Sequence, residues 1–151
     1  MRPPLADDRG VTLVELLVTV VILGITAAAV LGGLLTSVRT SDVHRKQTTA
    51  GVAARAYAEN IARHVAGSGY VACAAPASYA PATVGFPSPA GYAAEVASIR
   101  YWPGTGTGWT STCSADSGLQ QVTVEVRSDD ARATERSVVI VRKPCGIGSA
   151  C

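Results

Sequence analysis

Glu15 has the most unusual setting of any residue, because it lies inside a long apolar stretch that covers residues 11–35. It is the only charged residue between Arg9 and Arg39. A charged side chain inside a membrane-spanning helix costs about 2.5 kcal/mol or more, and such residues usually have a function. A carboxylate there is suited to pairing with an amine, because pairing relieves the cost of leaving either charge alone in an apolar environment. We therefore interpret Glu15 as a charge-pairing residue and not as a catalytic one.

The next candidates for covalent chemistry are the four cysteines, Cys73, Cys113, Cys145 and Cys151. An even number of cysteines in a small secreted domain indicates two disulfides, for which three connectivities exist. We predict the pairs Cys73–Cys113 and Cys145–Cys151. The first closes the larger loop and contributes about 3 kcal/mol or more in the chain-entropy account. The alternatives are four free thiols or a zinc site, but no Cys-x-x-Cys occurs and the spacings do not resemble structural zinc motifs.

No other group of residues has a pattern typical of catalysis. His44 and His64 lie on one predicted helix about five to six turns apart, so they cannot share a ligand within it. Asp129 and Asp130 lie in a predicted turn, where aspartate is favoured because it bonds the backbone. The glycine-rich residues 104–108 open no helix and lack the Gly-Lys-Ser/Thr ending of a phosphate-binding loop. The sequence therefore predicts no catalytic, cofactor-binding or metal-binding residue.

The element that positions Glu15 is the apolar stretch itself. As a helix, residues 11–35 are about 37 Å long, which exceeds the roughly 30 Å hydrocarbon core of a bilayer. A plain membrane anchor would leave Glu15 unexplained. A secretory signal peptide cut near Ala29 is the other alternative, since small residues occupy positions 26–29. A glutamate at the front of the apolar run argues against it, because that region of a signal peptide normally lacks charge.

The segment Asp-Arg-Gly-Val-Thr-Leu-Val-Glu-Leu-Leu-Val at residues 8–18 resembles the class III leader junction of type IV pilins and pseudopilins. In that family a prepilin peptidase cuts after the glycine and methylates the new N-terminus. The resemblance implies a leader of residues 1–10, cleavage between Gly10 and Val11, and N-methylation of Val11. Val11 departs from the Phe or Met that is most frequent at that position.

The resemblance also implies a role for Glu15, which would be the fifth residue of the mature chain. Cleavage after Gly10 creates an amine four residues before Glu15, and residues four apart share a helix face. The amine could neutralise the Glu15 of its own chain or that of a neighbour in a bundle of like subunits. The family implies the second arrangement, with Glu15 as an assembly determinant.

Residues 36–66 contain no proline, and apolar residues recur there at steps of three or four, which predicts one buried helix face. This predicted face is formed by Val43, Gln47, Ala50, Ala54, Tyr57, Ile61 and Val65. Glycines at 67 and 69 favour an end to the helix. We therefore predict one helix over residues 11–66, apolar all round in 11–35 and amphipathic in 36–66.

The remaining chain predicts a small sheet after a loop. Residues 67–95 contain four prolines and predict an αβ-loop, whose aromatic residues either cap a core, which we favour, or form a recognition surface. These are Tyr70, Tyr79, Phe86 and Tyr92. Alternating apolar residues predict an antiparallel sheet within residues 96–142, followed by a disulfide loop at 143–151. The expected fold is α+β and pilin-like, with a long N-terminal helix packed on three or four strands.

The sequence and the resemblance together indicate a minor pilin or pilin-like subunit of a type IV pilus-like filament. Its expected partners are the cytoplasmic membrane, the prepilin peptidase and other pilin subunits. We expect a single-pass precursor with an extracytoplasmic head, and then a cell-surface filament. The alternatives are a type II secretion pseudopilin, a DNA-binding minor pilin used in uptake, and a secreted domain with a signal peptide. A net charge of +2 with scattered basic residues gives little support for a nucleic-acid surface.

Overall fold

The computed structural model describes residues 12–106 and 108–144. The helix α1 (Leu13–His64) is followed by a π-helical turn (Val65–Gly69) and a 3₁₀ turn (Pro76–Tyr79). Three strands come next: β1 (Tyr92–Tyr101), β2 (Leu119–Ser128) and β3 (Thr134–Arg142). The chain divides into two compact units after Asp42.

In the first unit, α1 is apolar on all sides, and its threonine hydroxyls bond within the helix. Thr19 donates to the carbonyl oxygen of Glu15 at 2.7 Å, and Thr26 donates to that of Ile22 at 2.8 Å. Thr36 repeats the pattern with the carbonyl oxygen of Gly32. Each hydroxyl is therefore satisfied without water, as an apolar environment requires.

In the second unit, the three strands form one antiparallel sheet in the order β1-β2-β3. The central strand β2 shows why the sheet forms, since Val122, Val124 and Val126 alternate along it and are fully buried. Val141 of β3 is buried beside them. Of the three or four strands predicted, the described residues form three. A single bridge between Tyr101 and Thr110 stands outside the three strands.

The second half of α1 covers the inner face of this sheet. Its buried residues include several alanines, whose small side chains allow helix and sheet to approach closely. The six buried residues of α1 are Ala50, Ala53, Ala54, Tyr57, Ala58 and Ile61. Gln47, which was predicted on the buried face, is exposed. The α+β, pilin-like prediction of a long helix on an antiparallel sheet is confirmed.

The αβ-loop is shorter than predicted, because β1 begins at Tyr92 and not at residue 96. Alanine has low strand propensity, so the start Tyr-Ala-Ala did not indicate a strand. Two of the four loop aromatics, Tyr79 and Phe86, are buried, and Tyr70 and Tyr92 pack against the core. The rings of Phe86 and Tyr57 stack with centroids 4.9 Å apart. The aromatic residues of the loop therefore form part of the core or pack against it, as expected for residues that cap a core.

Candidate functional site

The start of α1 is built around Thr12 and Glu15. The Glu15 backbone N–H donates to the Thr12 hydroxyl oxygen at 3.3 Å, and the Leu16 N–H donates to the Thr12 carbonyl oxygen at 3.2 Å. Thr12 is therefore the N-cap and Glu15 the third helical residue, which is the Thr-x-x-Glu spacing of a capping box. A carboxylate in the first turn also interacts favourably with the helix dipole. Sequence reasoning missed Thr12, although the spacing was readable.

The side chains around Glu15 on α1 are apolar and exposed. Leu13 is 76% exposed and Leu17 is 58% exposed. This helix is long and apolar enough to cross a membrane, with a mean hydropathy of 2.5 in its most apolar window. Soluble monomers rarely expose continuous apolar patches of this size. The apolar helix suits a membrane-anchored precursor.

Three of the predicted site features lie outside the described residues. They are the cleavage position at Gly10 and Val11, the methylation of Val11, and the Cys145–Cys151 disulfide. Glu15 is described, and it lies exposed on the first turn of α1.

The Cys73–Cys113 disulfide is present, with the two Cα atoms 5.6 Å apart, within the usual range for a disulfide. It joins the αβ-loop to the connection between β1 and β2. Beside it, the Tyr101 hydroxyl donates to the carbonyl oxygen of Ala74 at 2.8 Å. The αβ-loop is therefore attached at adjacent residues, by a covalent bond from Cys73 to the β1–β2 connection and by a hydrogen bond from Tyr101 of β1 to Ala74.

A polar network that sequence reasoning missed is centred on Gln120, which is fully buried in β2. Its amide oxygen accepts from the Tyr79 hydroxyl at 3.3 Å. Its amide nitrogen donates to the Val71 carbonyl oxygen at 2.8 Å and to the Tyr70 hydroxyl at 3.1 Å. Tyr70 in turn donates to Oδ1 of Asp116 at 2.8 Å. The network therefore connects the αβ-loop to the central strand.

The tyrosine hydroxyls of this region remain protonated at neutral pH. Burial raises the pKa of Tyr57 to about 12, and the charge of Glu95 is the second cause. Burial, followed by the hydrogen bond to Asp116, raises the pKa of Tyr70 well above its usual value. Among the described residues, every buried side-chain nitrogen or oxygen has a hydrogen-bond partner. The network is thus a satisfied structural element.

The two histidines lie far apart, and Asp130 belongs to an ion pair. His44 and His64 lie on α1, about 30 Å apart along the helix. The Asp130 carboxylate lies 2.6 Å from Nζ of Lys46, and that hydrogen bond is the main cause of the lowered pKa of Asp130. Within residues 12–106 and 108–144, no group of three or more His, Cys, Asp or Glu residues has an arrangement that could hold a metal ion.

Comparison with known proteins is informative at the N-terminus. Residues 5–31 match the family model described as the prokaryotic N-terminal methylation motif. No curated protein and no solved structure matches the chain. The matched residues include the predicted cleavage position, Thr12, Glu15 and the apolar stretch as far as Leu31. The chain therefore carries the N-terminal methylation motif that supports a class III leader of the type IV pilin kind, and with it a pilin-like or pseudopilin protein.

Proposed function

We propose that the protein is a minor pilin or pilin-like structural subunit of a type IV pilus-like filament. The observation that carries the proposal is the methylation motif at residues 5–31, joined to a helix whose apolar side chains are exposed. The prepilin peptidase cuts the precursor between Gly10 and Val11 and methylates the Val11 amine. The motif implies this processing and assembly with other pilins.

The exposed apolar helix supports a subunit that moves between two apolar environments. Lipid covers the helix in the precursor, and the helices of neighbouring subunits cover it in the filament. The same side chains serve both states, because neither environment requires polar groups on the helix surface. The threonine hydroxyls fit both, since they bond to carbonyl oxygens of their own helix.

Glu15 supports assembly through its position in the first turn of this helix. Its carboxylate is costly in a bilayer, which gives a free-energy advantage to a state in which it meets a cation. The amine of Val11, freed by cleavage on a neighbouring subunit, is that cation. The Thr12 cap holds the backbone of Glu15 in helical geometry close to the new N-terminus.

Two variants test this proposal, Glu15→Ala and a matched control, Glu59→Ala. Glu59 is an exposed glutamate on the same helix, outside the apolar stretch. We expect the Glu15 variant to be processed and held in the membrane but to be lost from sheared filaments, while the control assembles normally. If Glu15→Ala subunits enter filaments as well as wild type, the assembly role is wrong.

Mass spectrometry of the mature chain tests the processing step separately. We expect an N-terminus at Val11 with one added methyl group. A chain that begins near Val30 would instead identify a secretory signal peptide. A type II secretion pseudopilin would show the same processed N-terminus, so deletion of the gene separates the two: a pilus subunit affects surface filaments, and a pseudopilin affects secretion of folded proteins.

A further inference from the structure

The two tryptophans of the chain, Trp102 and Trp109, lie together in one cleft of the second unit. Their ring centroids are 5.9 Å apart, and the planes meet at 65°, an edge-to-face arrangement. Both are half-buried, and neither belongs to the hydrophobic core or packs against it. Tryptophan has the largest apolar area of any side chain, so a small domain gains most stability by placing it in the core. The placement of both outside the core points to recognition.

The cleft has the size and composition of a ligand site. Its volume is about 490 Å³, within the range of about 300–1,000 Å³ that is common for small-molecule pockets. Beside the tryptophans, the lining includes Arg100 and a series of hydroxyl side chains. These are Thr110, Ser111, Thr112 and Ser114.

Backbone and side-chain bonds hold the cleft walls in place. Tyr101 and Thr110 exchange two backbone hydrogen bonds, at 2.8 and 2.9 Å. The backbone N–H of Trp102 donates to the carbonyl oxygen of Leu119 at 3.1 Å, and this bond connects the cleft wall to β2. Cys113, between two lining residues, is bonded to Cys73. The site is thus organised before any ligand arrives, which lowers the entropy cost of binding.

We propose that this cleft binds an oligosaccharide. The apolar C–H face of a sugar ring packs on an indole, while its hydroxyls exchange hydrogen bonds with serine and threonine hydroxyls. Single-stranded nucleic acid also stacks on aromatic rings, but it requires a positively charged groove along the backbone. Among the described residues that line the cleft, Arg100 alone is charged, which favours a sugar. A single guanidinium also favours sugars with a carboxylate.

The experiment uses the full chain in a zwitterionic detergent without a sugar headgroup, with a panel of immobilised neutral and carboxylated oligosaccharides. Ligands from the panel are then titrated in solution, with oligo(dT) as a comparison. Because the chain has only these two tryptophans, its intrinsic fluorescence reports directly on the cleft. We expect saturable binding of panel members with a fluorescence change, stronger binding of carboxylated members, and weaker binding of oligo(dT).

The variant Trp109→Ala is expected to weaken binding at least tenfold, and Arg100→Gln to remove the preference for carboxylated sugars. Val138→Ala, an exposed apolar position on β3 outside the cleft, is the matched control and keeps wild-type affinity.

An unchanged thermal midpoint and an intact Cys73–Cys113 bond show that each variant is folded. If Trp109→Ala does not fold, Trp109→Phe and Trp102→Phe assign the fluorescence change to individual rings. Binding to no member of the panel, tighter binding of oligo(dT), or full binding by folded Trp109→Ala would overturn the proposal.

Discussion

The side-chain amide of Gln120 donates to the carbonyl oxygen of Val71 at 2.8 Å, and this bond joins the central strand to the αβ-loop. The same amide meets the hydroxyls of Tyr70 and Tyr79. Gln120 therefore lies on the same face of β2 as the buried valines Val122, Val124 and Val126. It holds the loop against the sheet by directional bonds.

The first prediction concerns this residue. Gln120→Ala leaves the carbonyl oxygen of Val71 without its side-chain donor and opens a cavity, so we expect a loss of about 3 kcal/mol in the free energy of unfolding. Denaturant unfolding of the full chain in detergent measures it. Gln121→Ala is the matched control, because Gln121 is only half-buried and faces the other side of the sheet, and we expect a change within about 0.5 kcal/mol. Equal effects of the two substitutions would contradict the role of the network.

The second prediction concerns the disulfide. It closes a loop with a sequence separation of 40, so the paired substitution Cys73→Ser and Cys113→Ser is expected to lower the free energy of unfolding by about 4 kcal/mol. The measurement is denaturant unfolding with and without a reducing agent. Reduction is expected to destabilise the wild type more than the double variant, which has already lost this bond. An unchanged unfolding midpoint in the double variant would show that the loop does not depend on the bond.

The third prediction concerns acid stability. Lys46 and Ser128 lower the pKa of Asp130, so the folded state favours its ionised form. Because the pKa of Asp130 is lower in the folded state, its ionised carboxylate stabilises the fold when the pH is above the pKa of an unfolded aspartate, about 4. This stability is lost as the pH falls through the lower pKa of the folded state. We expect Asp130→Asn to reduce the thermal midpoint at pH 7 and to flatten its decline below about pH 4. Asp129→Asn, one residue earlier in the same turn, serves as the control because it keeps the ion pair between Lys46 and Asp130.

The fourth prediction concerns the helix start. Thr12→Ala removes the cap acceptor of the Glu15 N–H, which is expected to cost about 1 kcal/mol in local helix stability. Amide hydrogen exchange in micelles should show faster exchange at Glu15, while Thr12→Ser keeps the wild-type rate. Thr19→Ala is a second control, because the Thr19 hydroxyl donates to a carbonyl and caps no N–H. Unchanged exchange at Glu15 in Thr12→Ala would show that the cap has no role.

Local patterns in the sequence were sufficient to predict the long helix and the hairpin of β2 and β3. They also led to the assembly role of Glu15, which stays a prediction. A membrane-spanning helix with one charge can be recognised from consecutive residues alone, because the prediction depends only on the length of the apolar run and on the cost of burying a carboxylate. The alternation of Val122, Val124 and Val126 is also a local pattern, and it predicts a strand because a strand places every second residue on one face.

Contacts between distant parts of the chain were decided only by the tertiary structure. Gln120 meets Val71 and Tyr70 across 49 and 50 residues, and no local period relates such positions. Gln47 fitted the helical period but is exposed, because periodicity identifies a face without showing how far the partner layer extends. The tryptophan cleft has the same origin. Trp102 and Trp109 meet because the connection after β1 turns back to bridge Tyr101 with Thr110, and this return depends on a disulfide and on strand pairing far away in sequence.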